Sequence, residues 1–480
     1  MNRIDRKTVG VAAPALLAML AGSSALAQPV NAVLVVAQGD AIAGSTVSAV
    51  NAPFMDSTGA VGMVVSLADA RRAIIRGTPG NFVSIFDSGM ALPDALTGGE
   101  STMGISAANG FIYSPSFNGG DAVYTQAGKL LVDDDGAPGF PGLFSTFNSR
   151  PRMISNGTAY WVGGTATTLG GATSMRVLYR CTDPANPATI SALIGGGDEL
   201  APGFVITAQG IGFDYDVSDD GMHLMGQFIR TGATTTTDDF IWADDVVVAV
   251  EGGPVGDGSN WVSFDLAGIN NSGTTLFSAD TSAATNMDRV LALNGAVILR
   301  EGDVAGGLTL GAAIDAAAIG NAGDCVFIWD VTEATEALFH RSADGTVTRL
   351  AAVGDELNID ATPEAEFTLT DFNASGAVGP GLDLEGNGLV YAHVDLVPIG
   401  GGATIQAAVG FARPGVVPPC PADFNGDGNV DPDDLGDFIN CYFSVPPCDG
   451  ADFNGDGNID PDDLGDFINV YFTTVGAGGC

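Results

Sequence analysis

Seven times between Gln28 and about Pro414 the chain returns to one pattern, at intervals of roughly fifty residues. Each copy opens with a short apolar strand that runs into a Gly/Asp/Glu turn. The clearest openings are VLVVAQGD (33–40), VVVAVEGG (246–253), VILREGD (297–303) and VTRLAAVGD (347–355). FVSIFDSG (82–89), KLLVDDDG (129–136) and ISALIGGGD (190–198) follow the same plan less closely. A second half follows in each copy, with a polar Asn/Asp/Gly turn leading into a strand. It is seen in MDSTGAVGMVVS (55–66), SAANGFIYSPSF (106–117), SNGTAYWVGG (155–164), VSDDGMHLMGQF (217–228), INNSGTTLFSA (269–279), IGNAGDCVFIWD (319–330) and LEGNGLVYAHVD (384–395). Asn and Gly tolerate the positive φ of tight hairpin turns, and the alternation around them is strand-like.

A fifty-residue unit of short strands cannot bury its apolar faces alone, so copies must stack. Room for four strands per copy predicts a mainly β fold, a seven-bladed β-propeller of about 50-residue repeats, followed by a small α-helical loop–helix pair. A β-solenoid and a two-domain sandwich are the other arrangements this pattern allows. The segment TIQAAVGFA (404–412) is expected to pair with the first strand near Val33–Val36 and close the ring. The 68 glycines and abundant apolar residues fit many short strands and tight turns rather than disorder. The repeats resemble those of exported bacterial proteins with tandem NxxGxxAF-type units, and INNSGTTLFSA carries that resemblance best.

Near the C-terminus, DFNGDGNVDPDDLGDFIN (423–440) and DFNGDGNIDPDDLGDFIN (452–469) differ only at Val430 against Ile459. Oxygen side chains fall at loop positions 1, 3, 5, 9 and 12, with Gly at position 6. Calcium takes six to eight hard oxygen ligands, and a twelve-residue loop supplies them at this spacing. The first set is Asp423, Asn425, Asp427, the carbonyl of Asn429, Asp431 and Asp434. The second is Asp452, Asn454, Asp456, the carbonyl of Asn458, Asp460 and Asp463. Two Ca2+ ions are therefore expected. Gly428 and Gly457 occupy the sharp bend. Each loop leads into a helical face: Leu435, Phe438, Ile439, Tyr442 and Phe443, repeated by Leu464, Phe467, Ile468, Tyr471 and Phe472.

This EF-hand-like loop–helix pair, covering about 420–475, resembles a dockerin. The resemblance implies folding with calcium and a cohesin-like or cell-surface partner. The segment PDDLGDF is acidic where cellulosomal dockerins carry Lys/Arg. With the terminal Gly479-Cys480 it is similar to GC-type tails of exported bacterial proteins, which implies surface anchoring, with Cys480 as a possible attachment point.

The remaining organisation is as follows. Residues 1–27 read as a signal peptide, with Arg3, Arg6 and Lys7, an apolar run and the Ala25-Leu26-Ala27 cleavage pattern. Residues 28–414 form the repeat domain, 415–419 a Pro-rich linker, 420–475 the calcium module and 476–480 the Gly-Cys tail. The expected location is secreted and cell-surface associated. No stretch is long and apolar enough for a transmembrane segment. A net charge of −40 excludes nucleic acid as an ordinary partner. Six cysteines in an exported chain invite disulfides, with Cys441–Cys448 and Cys420–Cys448 both open; Cys181 and Cys325 read as buried thiols.

No catalytic motif stands out. His223, His340 and His393 share no motif and read as surface or turn residues. Gly195-Gly196-Gly197 and Gly400-Gly401-Gly402 lack the strand–helix context of a phosphate loop. Asp40, Asp198, Asp303 and Asp355 recur at one place in the repeat, which suits turn amides better than catalysis. The expectation is a non-catalytic, surface-anchored binding or structural protein with a polysaccharide or protein ligand. The alternative is a secreted carbohydrate-active enzyme or lectin carried by a dockerin.

Overall fold

In the computed structural model the repeats become separate antiparallel sheets. The structure describes residues 29–477 apart from 57–58, 79–80, 88–102, 107–109, 115, 118–119, 148–150, 360–363, 374–381, 384–387, 415–421, 426–429, 445–446, 449–450, 452 and 454–458. The expected signal peptide, Pro-rich linker and Cys480 lie outside the described residues.

The described strands form seven sheets. In chain order they span 41–87, 103–132, 143–195, 206–250, 261–300, 304–352, and 356–412 with Val30–Ala37 added. The long first strands of the fourth, fifth and sixth sheets, Ile206–Val217, Trp261–Ile269 and Leu308–Ile319, contact one another and line the inner edge of the ring. The seven sequence openings are the last strands, for example Val246–Val250, Ala296–Arg300 and Val347–Ala352.

The strands keep time because the turns are chemically specified. Asn294 and Gly295 form a two-residue hairpin with φ of 47° and 78°, the backbone that an Asn-Gly pair adopts most cheaply. Five of the seven last strands run into a turn that carries an aspartate. There Oδ2 of Asp40, Asp135, Asp198, Asp303 and Asp355 accepts from the amide three residues earlier, at 2.7–2.9 Å. The recurring aspartates thus hold turns.

Sheets stack face to face, and one apolar cluster lies between each successive pair. Val64 and Ile74 meet Phe111 and Tyr124 between the first and second sheets. Leu276 and Leu291 meet Phe327 and Phe339 between the fifth and sixth. Both faces of a sheet are therefore apolar, and the strands Thr275–Thr281 and Cys325–Val331 are buried at all but one position. The alternation expected from sequence gives way because water touches neither face.

The ring closes on itself. Val35, Val36 and Ala408 of the seventh sheet pack against Val61, Met63 and Ile75 of the first. The N-terminal strand Val30–Ala37 pairs antiparallel with Ile405–Ala412, with Val33 opposite Gly410, Leu34 opposite Val409 and Val36 opposite Ala408. The arrangement is a β-propeller, in which closure removes long free edges. Deleting residues 28–38 is expected to expose the edge of Ile405–Ala412 and to open the ring. Calorimetry should then show a broadened, lower-temperature transition, with aggregation on refolding.

Beyond the ring, the helices α1 (Pro432–Tyr442) and α2 (Pro461–Ala477) pack around Ala422, Phe438, Phe467 and Tyr471. The Phe438 and Phe467 rings stack at 4.1 Å. No described helix is long and apolar enough to cross a membrane.

Candidate functional site

Two groups of residues carry chemistry beyond packing: the loop–helix pair and a set of carboxylates at the inner edge of the ring.

In the loop–helix pair, Asp431 caps α1. Its side chain accepts from Asp433 N at 2.8 Å, while Asp434 accepts from Asp431 N at 2.8 Å, completing a capping box. The second copy repeats this, with Asp460 accepting from Asp462 N and Asp463 from Asp460 N. Position 12 of each loop, Asp434 and Asp463, is fully buried. The other carboxylate oxygen of Asp434 accepts from Asn425 N at 3.1 Å, so it faces back into its own loop. Asp423 and Asn425 stand at that loop's start, partly buried and exposed respectively. The remaining expected ligands, Asp427, Asn429, Asp452, Asn454, Asp456 and Asn458, lie outside the described residues.

This donor set fits a hard cation. A buried carboxylate is costly unless a positive charge accompanies it. After Arg413 the chain contains no Lys, Arg or His, so it has no cation of its own to give Asp434 or Asp463. Among the described residues no cluster of three His, Cys, Asp or Glu side chains is arranged to hold a metal. Of the expected ligand positions, only 9 and 12 of each loop, and in the first also 1 and 3, are described. The disulfide left open by the sequence joins Cys441 to Cys448, across the end of α1. Cys181 and Cys325 are buried free thiols.

The second group was not singled out by sequence. Asp265, Asp315 and Asp371 lie on the first strands of the fifth, sixth and seventh sheets, and each stands beside a register shift. Such bulges re-aim side chains. Arg289 bridges Asp265 at 2.8 Å and Asp280 at 3.3 Å. Glu336 is buried, and its Oε1 accepts from Phe372 N across the sixth–seventh interface at 3.3 Å. Burial, then a hydrogen bond with Asp371 and the charge of Asp315, push the Glu336 carboxyl up to about 8. Burial likewise raises Asp315 and Asp330. The available signal was periodicity: Asp265 and Asp315 each precede the following turn residue, Asn270 or Gly320, by five positions.

The histidines divide. His223 is partly exposed, with Nδ1 at 2.6 Å from Asp244. His340 and His393 are buried, which corrects their reading as surface or turn residues. They sit in middle strands, which stacked sheets cover on both faces. Burial pushes His393 down to about 4, so it is neutral at ordinary pH.

At one end of the ring the turns between first and second strands are stitched together. Ser155 N donates to Asp219 Oδ1 at 3.1 Å, Asp220 N to Asn271 Oδ1 at 3.1 Å, and Asn271 N to Asn321 Oδ1 at 2.8 Å. Asn270 accepts from the amides of Ser272 and Thr274 inside its own turn and donates Nδ2 to Gly320 O at 2.9 Å. The Asn/Asp-Gly motif of the repeat thus links neighbouring sheets as well as shaping turns. Asn270→Ala removes the acceptor of two turn amides and the buried bond to Gly320 O and is expected to cost about 1–3 kcal/mol, read as a lower denaturant midpoint with an unchanged slope.

No protein-family model and no curated protein matches this sequence. Among solved structures, the chain is similar to prolyl oligopeptidase B from Galerina marginata, at 11% identity and a TM-score of 0.40. That match covers 75% of this chain and 51% of the oligopeptidase, so the chain spans about half of that protein's length. It is also similar to the six-bladed fucose-recognising lectin of Aleuria aurantia, at 11% identity and a TM-score of 0.29, covering 62% of this chain and 93% of the lectin. AofleA from Arthrobotrys oligospora matches at 11% identity and a TM-score of 0.30, covering 66% of this chain and 89% of that one.

Proposed function

We propose that this is an exported, non-catalytic binding or structural protein, held at the cell surface by a calcium-dependent dockerin-like tail. Each of the seven sheets is read as one blade of a seven-bladed propeller that presents a ligand-binding surface. The observation that carries the tail's role is the wholly buried Asp434 and Asp463 in a segment with no basic residue. Calcium, when bound, supplies the missing positive charge and holds each loop against its helix. Asp423, Asn425, Asp427, Asn429, Asp431 and Asp434 would hold the first ion. Asp452, Asn454, Asp456, Asn458, Asp460 and Asp463 would hold the second. The partner of the tail is a cohesin-like or other surface component, and the ligand of the ring is a polysaccharide or a protein.

The deciding experiment is fractionation of the producing cells, with and without a chelator, for the full chain and for a chain ending at Gly415. The expected result is surface retention of the full chain only, released by chelation. Retention of both forms, or of neither, would overturn the anchoring role. Incubating the ring with polysaccharides separates the rival: retention without product fits a lectin-like role, while released product would make it a carbohydrate-active enzyme.

A further inference from the structure

The tail leaves the ring at one residue, and that residue is held in an unusual way. Arg413 directly follows Ile405–Ala412, a strand flanked on both sides, by Val30–Ala37 and by Leu389–Pro398. Its amide donates to Gly388 O at 2.9 Å. Its guanidinium turns inward, and Nη1 lies 2.8 Å from Asp324 Oδ2. Asp324 belongs to the sixth sheet, at the turn before Cys325–Val331. His340 Nε2 reaches the same oxygen at 3.0 Å. Side-chain exposure is 10% for Arg413, 8% for Asp324 and 4% for His340.

A buried ion pair is a poor way to gain stability, because apolar side chains of similar size do as well or better. What it supplies is a fixed geometry, since breaking it strands a charge. Its location gives that geometry a use. Asp324 lies in the same kind of turn as Asn270, Asn271 and Asn321, and those turns are already joined sheet to sheet. The start of Val30–Ala37 lies at this end too, because Ala32 stands opposite Phe411. The opposite end carries the Gly-Asp turns and the connections between second and third strands.

We propose that Arg413, Asp324 and His340 form the mount through which the tail holds the ring. A pull on the tail enters the ring at this ion pair and spreads through the linked turns, and the end bearing the Gly-Asp turns faces outward. This rests on the anchoring reading above.

The test holds the full chain by its C-terminal residues and by a tag inserted in the 282–288 connection, at constant force, in calcium. Asp324→Asn is expected to shorten the lifetime of the ring under load on the order of tenfold. Arg413→Lys, which keeps the charge, should retain most of the lifetime. Asp56→Asn breaks another buried pair, Asp56–Arg76, which lies within the first sheet and does not involve Arg413. It serves as the control for general destabilisation and should leave the lifetime near that of the unaltered chain at a matched loss of thermal midpoint. If Asp56→Asn and Asp324→Asn shorten it alike, or Asp324→Asn does not, the mount is refuted. The tail gives its own unfolding event, so a calcium-independent tail event would overturn the calcium reading without touching the comparison of ring lifetimes.

Discussion

Replacing Asp434 and Asp463 together with alanine is expected to abolish calcium uptake and to unfold the tail, while the ring remains folded. The argument is electrostatic and then cooperative. Each carboxylate closes its loop from the start of a helix, and each is wholly buried. The helices share one small core, in which Phe424 and Phe453 flank the stacked Phe438 and Phe467. A core of that size does not offset the conformational entropy of ordering the segment unaided. On the proposed reading, metal binding supplies much of its folding free energy. Titration calorimetry of the full chain should give two ions, and none for the double variant. Either single variant should weaken the remaining site by about tenfold or more, because losing one loop loosens the core that both helices use. Two intact sites in the double variant would remove the loop assignment. Proteolysis confined to residues beyond Arg413 would confirm that the ring is untouched.

Glu336→Gln is expected to flatten the pH dependence of ring stability and to raise the unfolding midpoint at neutral and alkaline pH. The Glu336 carboxyl rises from an ordinary 4.5 to about 8 in the folded chain, chiefly through burial. The folded chain thus keeps a proton that the unfolded chain has already released. The resulting stabilisation is fully present below pH 4.5 and disappears as pH rises through 8. A shift of this size corresponds to a few kcal/mol, on the order of 1.4 per unit, shared with Asp371 through their hydrogen bond. The charged groups around Glu336 are Asp371 on the seventh sheet and Asp315 and Asp330 on the sixth, with Arg289 facing Asp315 from the fifth. Glutamine keeps the acceptor for Phe372 N and cannot ionise. Thermal unfolding at pH 5, 7 and 9 should show the unaltered chain falling and the variant nearly level. Parallel curves would mean that Glu336 does not hold the proton.

The balance at Asp324 has the opposite sign. Burial would raise its carboxyl, but the His340 contact and the Arg413 charge outweigh burial and hold it below its ordinary value. That part of the stability is present above the ordinary carboxylate range and is lost as pH falls through the depressed value. Acid should therefore loosen the seam between sixth and seventh sheets where base acts on Glu336 at the same seam.

Local chemistry made much of the fold legible. The Gly-Asp turns, the Asn-Gly hairpin and the apolar openings are specified within a few residues, so the last strands and their spacing could be read directly. The pairing of 404–412 with the first strand could be read because a closed ring of repeats must join the two ends of the repeat region. The duplicated loops could be recognised in the same way, their expected ligands being set by position within twelve residues. What stayed hidden depends on distant residues. Asp371 and Glu336 are ordinary polar residues until the sixth and seventh sheets bring them together. His340 and His393 looked exposed because nothing in their own strands shows that a second sheet covers them. Cys448 had two candidate partners, Cys441 and Cys420, until the end of α1 placed Cys441 against it.

By itself the sequence determined the repeat, its turns and the expected donor set of the tail, because backbone conformation and ligand spacing are local properties. The tertiary structure alone decided the burial of His340 and His393, the raised carboxyl of Glu336 and the ion pair that holds Arg413. Those follow from burial and from charges that meet only when strands far apart in the chain are stacked together.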